Sequence, residues 1–158
     1  MQRTDVTRRV FIARAGLGTG AGVGIPALFA VGTQSTRADS ASVQVVNDLM
    51  AGFVALDWTK VAACLTDDCL FRVSEVGRTP PAASKATVMK DLVERSSQCE
   101  MRIVETFVSG PIVMHERYDR WTFKSDLPPL LWHGIGVYAV AGGRVAEWID
   151  YTLGRPNW

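Results

Sequence analysis

His115-Glu116-Arg117-Tyr118-Asp119-Arg120-Trp121, HERYDRW, is the stretch on which the reading of this chain turns. Side chains in a strand alternate between two faces, so as a strand it sets His115, Arg117, Asp119 and Trp121 on one side and Glu116, Tyr118 and Arg120 on the other. Neither side is plainly apolar. Arg117 and Asp119 are then either a charged ladder on a solvated edge, which contributes little to stability, or a buried pair kept for chemistry. The residues alone leave both readings open.

The β signal continues outward from this stretch. CEMRIVETFVSG (99–110), PIVMHERYDRWTF (111–123), LLWHGIGVYAVAG (130–142) and GRVAEWIDYTL (143–153) are β-rich runs. Ser-Gly-Pro, Ser-Asp-Leu-Pro-Pro and Gly-Gly punctuate them. Upstream the period changes. Val45, Val46, Leu49, Met50, Phe53 and Leu56 recur at helical intervals behind Ser42, a candidate N-cap. WTKVAACL (58–65) predicts a second short helix closed by a Thr66-Asp67-Asp68 turn, and CLFRV (69–73) a short strand. GRTPP (77–81) must be loop, and Ser84 is positioned to cap a third helix over KATVMKDLVERSS (85–97). Three helices and a strand followed by a four-strand meander predict an α+β domain whose helices cover one face of a curved mixed sheet.

A chain of 158 residues holds one globular domain with a sizeable core. Residues 1–38 are set apart. Arg8 and Arg9 stand before Phe11 and Ile12, and a glycine- and alanine-rich, weakly apolar stretch follows from Ala15 to Val31, as in a twin-arginine export signal. Thr36 and Ala38 suit a cleavage site, leaving 39–158 as the mature domain. Pro26 and the glycines make the same stretch a poor spanning helix. Five arginines and one aspartate give residues 1–38 a charge of +4, so the remainder carries 1 − 4 = −3. That mildly acidic domain lacks the basic patch nucleic acid requires. Cys64, Cys69 and Cys99 have no histidine beside them and no metal-ligand spacing, so no metal is expected. They read as small buried hydrophobes, with a Cys64–Cys69 bridge as the alternative in an oxidising compartment.

Alternation places Trp132, Gly134, Gly136 and Tyr138 on one side of their strand, and Ala146, Trp148, Asp150 and Thr152 on one side of the last. Glycines inside a strand leave room for something else to approach, so this face predicts a pocket with Arg117, Asp119 and Asp150 as its polar groups. His115 and His133 read as solvated or hydrogen-bonded structural residues.

From Val46 to Tyr151 the chain resembles the limonene-1,2-epoxide hydrolase family. That family lies within the cone-shaped group (cystatin-like fold) that includes nuclear transport factor 2, ketosteroid isomerase and the SnoaL-like polyketide cyclases. The matching stretches are VETF (104–107), ERYD (116–119), GVY (136–138) and EWIDY (147–151). The family pattern sets a second aspartate 31 residues after an Arg-x-Asp, and here 150 − 119 = 31. Carried over, the resemblance implies Asp150 as general base for a water, Asp119 as general acid toward the epoxide oxygen, and Arg117 as the bridge between them. It implies Met50, Phe53, Leu92, Trp121 and Trp132 as substrate-binding lining, and the strand phase adds Gly134 to them. A Tyr and an Asn that hold the water in that family correspond here to Phe71 and Val73, which remain as apolar lining. Arg72 and Ser74 share the opposite face of that strand.

The expectation is therefore an exported, homodimeric hydrolase that opens a small, mostly apolar epoxide to a diol without cofactor or metal. Its partners would be that substrate and the twin-arginine export machinery. An isomerase or cyclase drawing a proton from carbon next to a carbonyl is the alternative that Phe71 and Val73 suit. A non-catalytic ligand-binding or dimerisation module is the third.

Overall fold

In the computed structural model, which describes residues 30–154 other than 76, one six-stranded mixed sheet is covered on one face by one long helix and two short ones. The helices are α1 (Ala30–Val54), α2 (Trp58–Ala63) and α3 (Met89–Arg95), the last entered through a 3-10 turn, Ala86–Val88. The strands are β1 (Leu65–Glu75), β2 (Ser84–Lys85), β3 (Ser96–Ser109), β4 (Ile112–Phe123), β5 (Leu130–Ala141) and β6 (Arg144–Gly154). Their order is β2-β1-β6-β5-β4-β3, with β1 and β6 parallel and every other pair antiparallel. The α+β class, the three helices and the β3–β6 meander agree with the pattern in the sequence.

Local chemistry explains the punctuation. Gly142 and Gly143 both take positive φ, which a tight two-residue hairpin of the twist-compatible type requires, and they join β5 to β6. Gly110 turns β3 into β4 with φ 58°, and its N–H donates to Asp39 Oδ1 at 2.8 Å, which ties α1 to that hairpin. Asp57 caps α2 by accepting from the Lys60 backbone N–H at 3.2 Å. Two bulges in β3, between Ser96 and Gln98 and between Ile103 and Glu105, add local bend and twist to the sheet.

The core lies between α1 and the inward face of the sheet, where Val46, Leu49 and Phe53 meet Val113, Trp121, Tyr138 and Trp148. Phe53 sits edge-on to Trp121 at 5.9 Å and tilted on Trp148 at 5.5 Å, arrangements that aromatic quadrupoles favour.

Several expectations are corrected. Ser42 does not start the first helix, since α1 begins at Ala30 and buries Ser42 in its middle. Thr66, Asp67 and Asp68 are not a turn. They lie in β1, where the pairing with β6 shifts between Leu65 and Leu70, so an irregular ladder takes up the polar residues. Ser84 pairs in β2 and makes no cap, and the third helix is shorter than its pattern because β3 already starts at Ser96. Cys64, Cys69 and Cys99 are free thiols, not bridged. Burial pushes the Cys69 thiol up to about 11 and the Cys99 thiol up to about 12, which leaves both inert as nucleophiles. The Arg8-Arg9 stretch lies outside the described residues.

Candidate active site

Strand β4 settles the question posed by HERYDRW. Its burial alternates strictly, and His115, Arg117, Asp119 and Trp121 all face inward. Arg117 is 1 % exposed, Asp119 4 % and Asp150 6 %, so the charges are a buried cluster and not a surface ladder.

Arg117 is its hub. The Nε–H donates to both oxygens of Asp119 at 3.1 Å, and Nη2 donates to both oxygens of Asp150 at 3.1 and 2.9 Å. Nη1 donates to the Tyr138 hydroxyl at 2.7 Å. Asp150 also accepts the indole N–H of Trp148 at 2.7 Å, so the two residues of EWIDY that face inward fix one another. A planar guanidinium suits this work, because its donors form a rigid fork that meets two carboxylates at once.

The glycines make the approach possible. A Cβ at position 136 would collide with Arg117 Nη1 and with the Tyr138 hydroxyl, so only glycine lets the guanidinium lie across β5. A Cβ at 134 would collide with the Trp132 indole and the Tyr151 backbone carbonyl. Without it the Trp132 ring packs against Arg117, whose Cζ lies 4.4 Å from the ring centroid, while the indole N–H donates to Thr152 Oγ1 at 2.9 Å.

Electrostatics separates the groups. Burial raises the Asp119 carboxyl to about 6; Arg117 pulls against that rise and Asp150 reinforces it. Burial also works against the Arg117 charge, but Asp150 foremost among its neighbours reverses this and holds the guanidinium ionised. Tyr138 is driven well above the usual phenol range by burial, so it stays a neutral hydroxyl. His115 corrects its expectation. It is fully buried, and among the described residues neither ring nitrogen has a hydrogen-bond partner. Burial and then Arg117 lower it to about 4, which keeps the ring neutral beside the cation. His133 bonds Glu116 at 3.0 Å, as expected of a structural histidine.

The cluster forms the polar floor of a chamber of about 160 Å³. Of the residues named from the sequence, Phe71, Val73, Leu92, Trp121 and Trp132 line it, joined by Met89, Met101, Leu130 and Trp148, which the sequence reading did not single out as lining. Met89 and Leu92 share one face of α3 at a spacing of three, a signal available in the sequence. Met101 follows from the β3 register, which sets it opposite Asp119. Met50 and Phe53 do not line the chamber. They pack behind it, Met50 Sδ lying 3.9 Å from the Tyr138 hydroxyl and Phe53 against the two tryptophans. Gly134 shapes the chamber indirectly, by making room for Trp132. A wider cleft shares Val73, Leu130 and Trp132 with the chamber and leads toward Glu75 and Arg78.

Among solved structures, an LEH-like epoxide hydrolase from M. tuberculosis is 25% identical with a TM-score of 0.56, covering 75% of this chain and 84% of its own. AusH from Aspergillus nidulans is 14% identical with a TM-score of 0.59, covering 75% and 88%. AclR from Streptomyces galilaeus, a putative hydroxylase, is 10% identical with a TM-score of 0.58, covering 72% and 79%. The last two share the fold alone. No curated protein matches the chain. The description "Limonene-1,2-epoxide hydrolase catalytic domain" matches residues 40–153, a span that contains Arg117, Asp119 and Asp150. By that match the chain belongs to the limonene-1,2-epoxide hydrolase family, a hydrolase-type domain on the nuclear transport factor 2-like fold.

Proposed function

We propose that the protein opens a small, mostly apolar epoxide to a diol in one step. The observation that supports this most is the single guanidinium bonded to two buried carboxylates at the base of an apolar chamber. Two carboxylates and one arginine leave a net negative charge, so the cluster favours uptake of one proton, and Asp119, whose carboxyl burial raises, is assigned as the acid. Water attacks one ring carbon and gives its proton to Asp150. The carbon–oxygen bond of the ring breaks, and Asp119 delivers its proton to the departing oxygen. Asp150 ends with a proton and Asp119 without one, and exchange with solvent restores both. Ring strain supplies the driving force, so an acid and a base suffice without a cofactor.

One observation favours a second reading. The β1–β6 register sets Phe71 beside Trp148 and Val73 beside Asp150, so apolar side chains flank the base on that side. A drier site of this kind suits removal of a proton from carbon, as in an isomerase or cyclase.

We also infer export by the twin-arginine route, from Arg8 and Arg9 before Phe11, and action as a homodimer. The outward face of the sheet supports the dimer. Phe107, Met114, Val137 and Ile149 are register partners in one row across β3 to β6, on the side away from the core.

The test is a panel of terpenoid and aryl epoxides assayed for diol. Asp150→Asn removes the base and Asp119→Asn the acid, and each is expected to lower turnover at least roughly a hundredfold with the fold retained. Turnover that survives both substitutions excludes the acid–base reading.

A further inference from the structure

We propose that Tyr138 is a positioning residue for this reaction: its buried hydroxyl is the third anchor of Arg117 and holds the guanidinium in the one orientation that serves both carboxylates. The proposal rests on the epoxide-opening reading for the chemistry, although the anchoring itself is geometric.

A guanidinium held only by Asp119 and Asp150 could pivot toward either. Both contacts lie on one side of the group, through Nε and Nη2, and each is to a carboxylate that changes protonation during turnover. Nη1 is the remaining arm, and its acceptor is the Tyr138 oxygen at 2.7 Å. Tyr138 is 0 % exposed, its ring is wedged against Trp148 at 5.7 Å, and its hydroxyl hydrogen points to Met50 Sδ at 3.9 Å. The hydrogen thus lies toward a weak acceptor and the lone pairs toward Arg117. Gly136 keeps the passage between them open, since any Cβ there would strike both atoms.

The chemistry needs an anchor that is neutral. A third carboxylate would compete for the guanidinium and draw its charge away from Asp119 and Asp150. A phenol accepts the hydrogen bond and adds no charge, and burial keeps it from ionising. The charged groups that act on Asp119 are Arg117 on its own strand and Asp150 from β6, while the Cys99 thiol of β3 is itself raised by burial first and then by Asp119. Tyr138 and His115 stand on the far side of the guanidinium, and α3 contributes only Met89 and Leu92 to the chamber.

Tyr138→Phe in the full chain removes the anchor and keeps the ring. With Nη1 left without its acceptor, kcat on a small cyclic epoxide is expected to fall about tenfold with KM changed less than twofold, because a positioning loss is felt in the chemical step. The side-chain carboxyl of Asp119, followed by carbon NMR on aspartate-labelled protein, should titrate at lower pH than in wild type, since the guanidinium field is no longer shared with the phenol oxygen. Unchanged kcat and an unchanged or raised Asp119 midpoint in a folded variant overturn the proposal. If Tyr138→Phe does not fold, 3-fluorotyrosine at position 138, whose oxygen is a weaker acceptor, must move kcat and midpoint in the same directions or the proposal fails. The titration needs no substrate. A wild type that turns over no epoxide while the variant midpoint falls therefore overturns the epoxide reading and leaves the anchoring role supported.

Discussion

At the scale of single residues, the decisive fact is that Asp119 and Asp150 share an arginine but not an environment. Asp119 is bonded only through Nε, whereas Asp150 takes Nη2 and the Trp148 indole together. An acid raised to about 6 is protonated below that pH, so kcat/KM for the epoxide is expected to decline as pH rises through about 6. Stability should follow the same group. Its ordinary value is 3.8, so between that pH and about 6 the folded chain binds this proton more tightly than the unfolded chain does. The contribution is therefore full below the ordinary value and lost as pH rises, by about 3 kcal/mol across the window. Urea midpoints of wild type and Asp119→Asn at pH 4 to 8 check this: the wild type should weaken relative to the variant across the window, and parallel curves would refute it. The pairing of Arg117 with Asp119 was legible in the sequence as one of two readings. The burial that chose between them was not, because it depends on what α1 lays over the inward face of β4 and on the carboxylate that β6 brings across β5.

At the scale of elements, β1 carries the two positions, Phe71 and Val73, where the resemblance implies polar groups and this chain has apolar ones. Phe71 and Val73 face the chamber as apolar side chains, while Arg72 and Ser74 alternate to the other face, where Arg72 and Ser74 stand beside Ile149 and Tyr151 of β6. On the proposed chemistry, a water held by Asp150 alone would lack two hydrogen bonds, each worth about 0.5 to 1.5 kcal/mol. Phe71→Tyr with Val73→Asn is therefore expected to raise diol formation severalfold on a small epoxide. A thermal melt beside wild type guards against polar groups stranded in the core, which would cost about 1 to 3 kcal/mol each. A variant that melts like its parent yet makes no more diol would favour proton abstraction from carbon. The strand itself was only half legible. CLFRV carries the alternation, but the first part of β1 runs through Thr66, Asp67 and Asp68, where the pairing with β6 shifts register, and polar residues in sequence look like a turn although the backbone there stays extended.

At the scale of the whole molecule, helices occupy one face of the sheet and leave the other with an apolar row that includes Phe107, 49 % exposed, and the neighbouring Tyr151, 42 % exposed. Sedimentation equilibrium of the purified protein should return a dimer mass, and Phe107→Glu should shift it toward the monomer, since an unpaired charge buried in such a contact is costly to desolvate. A wild-type monomer at micromolar concentration would refute the dimer. For export, Arg8→Lys with Arg9→Lys should abolish processing. A doubly substituted precursor that is matured normally would exclude the twin-arginine route.

Sequence by itself determined the class, the meander, the turns at Gly110 and Gly142-Gly143, and the strand phases that bring Arg117, Asp119, Asp150 and Trp132 to one face. These are local properties, carried by a period of two and by backbone angles that glycine alone adopts cheaply. Only the tertiary structure decided that Tyr138 anchors Arg117, that Trp148 orients Asp150, that Met50 and Phe53 stand behind the chamber, and that His115 is sealed without a partner. The physical reason is that each of these depends on contacts between strands or layers distant along the chain. Gly136 in β5 makes room for an arginine in β4 whose second carboxylate arrives from β6, and no local pattern records who the neighbours across a sheet will be.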